Sequence, residues 1–234
     1  LRGVERECLN DNGFEVARRV TDLADAIVTS AYERSTSQTT RPHALVALGG
    51  FGRREMAPYS DIDLLFLFWR EGDKSPEFIS SVLHPLWDLG FDIGHSSRTV
   101  AEVVKIARED LESCTAMMDG RLLAGDSDLF AEYAQRLFRR LPKSVPTQIN
   151  KWRQARIDNK DSVQLLEPNV KESPGGLRDI QALEWAIKAQ TQQADATSLW
   201  SRYLEREDVE TIKCARAFLW RVRHHMHFAV GRKR

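Results

Sequence analysis

Asp61 and Asp63 stand two residues apart in the run Ser60-Asp61-Ile62-Asp63-Leu64-Leu65-Phe66-Leu67-Phe68, whose apolar continuation predicts a strand over 62–68. Alternate residues of a strand share a face, so the two carboxylates converge on one point. Their repulsion is relieved by a proton, a basic side chain or divalent cations, and hard oxygen donors favour Mg²⁺ or Mn²⁺. A third carboxylate on a neighbouring strand completes a two-ion site, with metals ~3.5–4 Å apart clamping the attacking and leaving oxygens of a phosphoryl or nucleotidyl transfer. Asp92, in the apolar-acid-apolar step Phe91-Asp92-Ile93, is the first choice for it, and Asp119 is the reserve.

Upstream, Ala44–Leu48 reads as a short buried strand that ends at Gly49-Gly50. Gly49, Gly50 and Gly52 carry no side chain where that strand turns into a short helix, so backbone N–H groups can approach a triphosphate closely. Arg53 can add a charge-assisted contact.

Other elements position these residues. Val16, Val20, Leu23, Ile27 and Ala31 recur at helical spacing over Phe14–Ala31. Ser75-Pro76 predicts a helix start, with Gly90 as its stop; a third strand spans Phe91–Arg98, and Thr99 with Glu102 has capping-box spacing. Beyond Asp110 the pattern is helical, over Leu111–Leu123, Leu129–Leu141, Val145–Asn159, Leu177–Ala189 and Asp208–Val230. The closing helix has its apolar stripe at Val209, Ile212, Ala215, Leu219, Val222, Met226 and Ala229. The Pro- and Gly-bearing stretch 161–176 interrupts this helical pattern between Asn159 and Leu177. The expected organisation is an N-terminal helix and linker (1–42), a sheet-bearing domain (43–125) and a helical domain (126–234), an α+β chain.

Composition narrows the partners. Over 234 residues, Lys+Arg 34 balances Asp+Glu 34, so no global field favours a nucleic-acid backbone or an anionic membrane. Cys8, Cys114 and Cys214 form no CxxC pair, and their odd number speaks against a secreted disulfide framework, so a reducing, cytoplasmic setting is expected. The apolar run Leu64–Trp69 is far shorter than the ~20 residues of a membrane-spanning helix.

The order apolar strand, Gly-Gly, short helix, Asp-x-Asp resembles the nucleotidyltransferase superfamily typified by DNA polymerase β. Gly49–Met56 with Ser60–Leu65, Gly94–Thr99 and above all Leu166-Glu167-Pro168-Asn169-Val170-Lys171-Glu172-Ser173-Pro174-Gly175-Gly176-Leu177-Arg178-Asp179-Ile180-Gln181 resemble the bacterial PII uridylyltransferase/uridylyl-removing enzymes. The resemblance implies a polymerase β-like domain with a small mixed sheet, joined to an α-helical domain, that transfers UMP from UTP to a tyrosine of the PII nitrogen-signalling protein. It implies that Asp61 and Asp63 hold both metals and Asp92 the one that activates the tyrosine oxygen, with Gly49, Gly50, Gly52, Arg53 and Ser60 shaping the triphosphate pocket. That family continues into HD and ACT domains; this sequence stops before them, so the removal reaction and glutamine sensing are expected to be absent.

The second signature also has a reading of its own. A Pro-Gly-Gly turn leading into a helix offers free N–H groups, and Lys171 and Arg178 can reach phosphate or nucleotide; equally, Arg178 and Asp179 can tie the loop to the catalytic domain. His224, His225 and His227 point in different directions on one helix and are expected at the surface or partly packed. Two alternatives remain at this level: an adenylyltransferase-type enzyme acting on another protein, since base choice is not written in these residues, and a non-catalytic domain that binds nucleotide or PII.

Overall fold

Strand β1 (His43–Ala47) is buried at every position and β2 (Ile62–Phe68) at every position except Asp63, the signature of strands covered on both faces. A computed structural model describes residues 13–36, 41–158, 169–195 and 197–231. In it β1 and β2 occupy the centre of a four-stranded sheet of order β3-β2-β1-β4, with β3 at Ile93–Thr99 and β4 at Arg121–Gly125. β1 pairs antiparallel with β2 and β4, while β2 and β3 run parallel. The architecture is α+β with a small mixed sheet.

A parallel pair needs a crossover. Here it is a helix, Pro76–Asp88, started by the Ser75 hydroxyl, which accepts the Phe78 N–H at 3.3 Å. Numbered in chain order, the helices are α1 (Gly13–Ser35), α2 (Gly49–Gly52), α3 (Pro76–Asp88), α4 (Val100–Glu109), α5 (Leu111–Met118), α6 (Ser127–Arg140), α7 (Val145–Asp158), α8 (Leu177–Thr191) and α9 (Arg206–Val230). One face of the sheet packs Leu45, Ile62, Leu64, Phe66 and Phe68 against Val28 and Tyr32 of α1 and Phe78, Val82, Leu83 and Leu86 of α3. The expected capping box forms: the Thr99 N–H donates to Glu102 Oε2 at 2.7 Å and the Glu102 N–H to Thr99 Oγ1 at 3.3 Å.

The helix expected over Leu111–Leu123 is shorter. It ends at Met118, and Arg121–Gly125 is the edge strand β4. Arg-Leu-Leu-Ala-Gly has no alternation, so pairing with β1 rather than local propensity makes it a strand. Gly120 permits the break: a Cβ there would stand 2.5 Å from the Tyr133 hydroxyl, which donates to the Met117 carbonyl.

The chain divides into two compact units, residues 18–56 with 60–141, and residues 1–17, 57–59 and 142–234. Helix α6, grouped with the helical part when only the sequence is read, clusters with the sheet. The second unit has one core of Ala17, Ala57, Leu177 and Trp220, and another centred on Ile187 and Trp200. Of the expected loop 161–176, the part 161–168 lies outside the described residues. No described helix is long and apolar enough to cross a membrane.

Candidate active site

The alternation of β2 turns Ile62, Leu64, Phe66 and Phe68 toward the core and leaves Asp63 as its exposed residue. The Leu48 N–H donates to the Asp63 carbonyl at 2.9 Å, joining the end of β1 to the start of β2. Two glycines flank the Asp63 carboxylate. A Cβ at Gly49, whose φ of +52° favours glycine, would lie 3.6 Å from Asp63 Oδ2; one at Gly94 would lie 2.5 Å from Asp63 Oδ1. The register pairs Asp63 with Gly94, so the neighbouring strand is bare where the carboxylate sits.

The turn after β1 is closed by the Gly52 N–H on the Leu48 carbonyl at 2.9 Å, Arg53 on Gly49 at 3.0 Å and Glu55 on Gly50 at 2.8 Å. Gly50 is half-buried. Gly52 is buried against the end of α5: a Cβ there would fall 2.1 Å from the Asp119 carbonyl oxygen.

Ile62 pairs with Ile93, and the Ile62 N–H donates to the Asp92 carbonyl at 2.9 Å. Neighbouring residues of a parallel pair share a face, so this register puts Asp92 on the same side of the sheet as Asp61 and Asp63. Asp92 is exposed, and Asp61 and Ser60 are half-buried. Among the described residues, no group of three or more His, Cys, Asp or Glu stands close enough to hold a metal by itself. The paired carboxylates nevertheless suit Mg²⁺, which retains waters and takes one or two carboxylates plus substrate phosphates rather than a full protein cage.

Asp119 has a different employment. Its buried carboxylate accepts from Arg53 Nη1, and Arg53 Nε donates to Glu55 Oε2 at 2.8 Å. Burial alone would lower the Arg53 pKa, but the charges and hydrogen bonds of Asp119 and Glu55 outweigh it and hold the guanidinium above its usual range. The guanidinium is thereby fixed beneath the glycine turn.

The described part of the second signature, residues 169–181, folds on itself within the helical unit. Asn169 Oδ1 accepts the N–H groups of Lys171 and Glu172, and Asp179 Oδ2 accepts that of Gly175 at 2.7 Å. Arg178 donates to Glu172 at 2.8 Å and to Gln181 at 2.8 Å, with its guanidinium 5.5 Å from the Trp185 ring centre. Lys171 Nζ stands 3.7 Å from Glu172, and Asp179 stands 3.3 Å from Arg153 of α7. Burial would raise the Glu172 pKa, but the Arg178 hydrogen bond and the charges of Arg178, Lys171 and Arg156 bring it below the usual carboxylate value. Arg178 and Asp179 thus bind the loop to α7 and α8.

Residues 143–234 match the family model described as GlnD PII-uridylyltransferase. The chain is 35% identical to a bifunctional uridylyltransferase/uridylyl-removing enzyme of Phenylobacterium zucineum, over 94% of this chain and 25% of that protein. It is 40% identical to the enzyme so named in Cereibacter sphaeroides, over 81% of this chain and 21% of that protein. With the enzyme so named in Azospirillum brasilense it shares 33% identity, over 99% of this chain and 26% of that protein. The chain is similar to these enzymes over most of its length, and its helical part matches the PII-uridylyltransferase model. It spans about a quarter of the length of these relatives. The Azospirillum match, covering 99% of the chain, takes in the glycine turn and carboxylates as well as the helical unit.

Within the helical part that matches the PII-uridylyltransferase model, the histidines depart from expectation. His224 and His227 are fully buried rather than superficial. The buried stripe of α9 runs through Trp220, Arg223, His224 and His227, while Ala215 and Ala229 of the expected aliphatic stripe are exposed. The usable signal was the i, i+3, i+4, i+7 spacing of these four residues, which an aliphatic reading of the helix passes over. His224 Nε2 meets the Gly13 carbonyl at 2.9 Å, and His227 Nδ1 meets that of Pro58.

Two of these observations yield predictions. Gly94→Ala displaces the Asp63 carboxylate without touching the core, so Mn²⁺ affinity is expected to fall about 10-fold with the melting temperature nearly unchanged, as titration and calorimetry would read. Burial pushes His224 down to about 4, against the Gly13 hydrogen bond and helped by the charges of Arg223, His227 and His225. The unfolded chain therefore takes up this proton near pH 6.5 and the folded chain only near 4, so stability is lost as pH falls through that window, by about 3 kcal/mol in full. Urea unfolding between pH 7 and pH 4 should show a shallower pH dependence in His224→Gln than in the native chain; parallel curves would refute the assignment.

Proposed function

We propose that the chain carries a uridylyl-transfer site that passes UMP from UTP to a tyrosine hydroxyl of a PII-type signalling protein. The observation that carries this reading is the Asp63 carboxylate set between Gly49 and Gly94, with Asp61 and Asp92 on the same sheet face. The names of the relatives supply the substrate class. In the transfer a bond forms between the tyrosine oxygen and the α-phosphorus, the bridge to the β-phosphorus breaks, and diphosphate leaves. Divalent cations, when bound, supply charge neutralisation of the phosphates and a lowered pKa for the attacking hydroxyl.

Asp61 and Asp63 hold such cations from one side, and Asp92 faces the acceptor side. Gly49 and Gly50 let the triphosphate approach the backbone, with Ser60 at the margin. Arg53 acts through the turn that it fixes, held by Asp119 and Glu55. Lys171 and Arg178 act through the loop they stiffen, and neither needs a phosphate to account for its position.

The test is incubation with α-labelled UTP, Mg²⁺ or Mn²⁺ and a PII protein, with the label then mapped on the acceptor. Label on a tyrosine supports the reading. Label taken preferentially from ATP, or tight UTP binding with no transfer, favours instead an adenylyl-transferring or a non-catalytic relative.

A further inference from the structure

Within the sheet unit, residues 18–56 with 60–141, a second arginine meets the glycine turn. Arg121 opens β4 and pairs with Ala47, the last residue of β1, so its side chain stands beside the turn that follows. In that turn the carbonyls of Leu48, Gly49, Gly50 and Phe51 each accept a backbone N–H. Arg121 Nε donates to the carbonyl of the buried Gly52 at 3.2 Å, and Nη2 adds a bond to the Phe51 carbonyl at 3.1 Å. The same guanidinium is held from α1, where Nη1 and Nη2 donate to the two carboxylate oxygens of Asp25 at 2.9 and 2.8 Å. It also lies 5.6 Å from the ring centre of the buried Phe51.

We propose that Arg121 is a positioning residue for the nucleotide: oriented by Asp25, its guanidinium closes the end of the glycine turn and so fixes the backbone that the triphosphate approaches. The assignment rests on the reading that Gly49 and Gly50 border a bound triphosphate. Carbonyls at the end of a short helix lack partners within it, and a buried one left without a donor costs free energy, so the turn keeps its shape only with a donor from outside. The planar five-donor fork of arginine serves both carbonyls and the carboxylate together; a lysine ammonium carries the charge without that geometry.

The experiment is calorimetric titration with a non-hydrolysable UTP analogue and Mg²⁺, well below the melting temperature of every variant. Arg121→Met is expected to weaken binding about 10-fold, the loss that goes with removing hydrogen bonds from a charged donor. Arg121→Lys should bind within about 3-fold of Arg121→Met; affinity restored to the native value would show that charge alone matters and overturn the assignment. Asp25→Asn should weaken binding about 3-fold by itself and add nothing in the Arg121→Met background, since Asp25 acts only through the guanidinium. Unchanged affinity in folded Arg121→Met, or an equal loss from Asp25→Asn in both backgrounds, would also overturn it. Leu129→Ala separates positioning from general stability: Leu129 is buried and its N–H is held by Asp126, which bonds the His43 carbonyl at the opposite end of β1. That variant should melt lower and bind as the native chain does, and a 10-fold loss of affinity in it would count against the assignment. If Arg121→Met does not fold, Arg121→Lys and Asp25→Asn decide, with native affinity in both as the contrary result. If the native chain binds no analogue, the nucleotide reading fails by itself. Amide exchange of Gly52, Arg53, Arg54 and Glu55 in the ligand-free protein still reports on the clamp, with faster exchange expected in Arg121→Met and unchanged exchange counting against it.

Discussion

Asp61→Asn combined with Asp63→Asn is expected to reduce uridylyl transfer to a PII protein by at least about 10³-fold while leaving the fold intact. Both side chains border the site rather than the core: Asp63 is the exposed residue of β2, and Asp61 lies before the strand begins. Amide oxygens keep the shape but lose two charges, so bound cations lose most of the several kcal/mol they supply, and about 4 kcal/mol corresponds to about 10³ in rate. Removing two like charges from one face also relieves repulsion, so the melting temperature should stay or rise slightly. Transfer that persists within 10-fold in the double variant would remove the carboxylates from the chemistry.

Asp119→Asn carries the largest expected loss of stability. Its carboxylate and that of Glu55 enclose the Arg53 guanidinium, whose side chain is 10% exposed, and the Asp119 side chain is 0% exposed. Removing one partner of such a pair leaves a buried charge poorly compensated, at a cost of about 3–5 kcal/mol. That is a large part of a typical domain stability of about 5–15 kcal/mol, so the denaturation midpoint should drop sharply. The same variant separates the two candidate third carboxylates. If Asp119 were a cation ligand, Asn would abolish transfer at little cost in stability, and Asp92→Asn would do neither. The opposite pattern is expected: Asp92→Asn impairs transfer in a stable protein, and Asp119→Asn lowers the denaturation midpoint.

Much of this molecule is legible in its sequence where local signals agree with tertiary demands. The second strand, Ile62–Phe68, has the residues expected, because an unbroken apolar run after Asp63 can only be buried on both faces. Ser75-Pro76 and Thr99-Glu102 mark helix starts through capping chemistry, which depends on a few adjacent residues. β4 escaped because Arg121–Gly125 has neither alternation nor β-branched residues, and its state depends on a partner strand distant in sequence. The buried polar stripe of α9 escaped for a related reason: His224 and His227 are stabilised by the Gly13 and Pro58 carbonyls, partners that no spacing along α9 announces.

The site shows the same division. The Asp-x-Asp pair and the glycine turn are local patterns and were readable as such. The reason for each glycine was not: Gly94 clears room for Asp63, and Gly52 for the Asp119 carbonyl, through contacts between separate elements. Arg53, expected to meet phosphate, has its guanidinium enclosed by Glu55 and Asp119. A buried counter-charge sixty-six positions away is invisible to motif reading.

The most direct measurement is anomalous diffraction from crystals of this chain grown with Mn²⁺ and a non-hydrolysable UTP analogue. Manganese peaks are expected at Asp61 and Asp63, one of them shared with Asp92, with the triphosphate over Gly49 and Gly50. Manganese or nucleotide bound elsewhere, with Asp61 and Asp63 bare, would contradict this assignment.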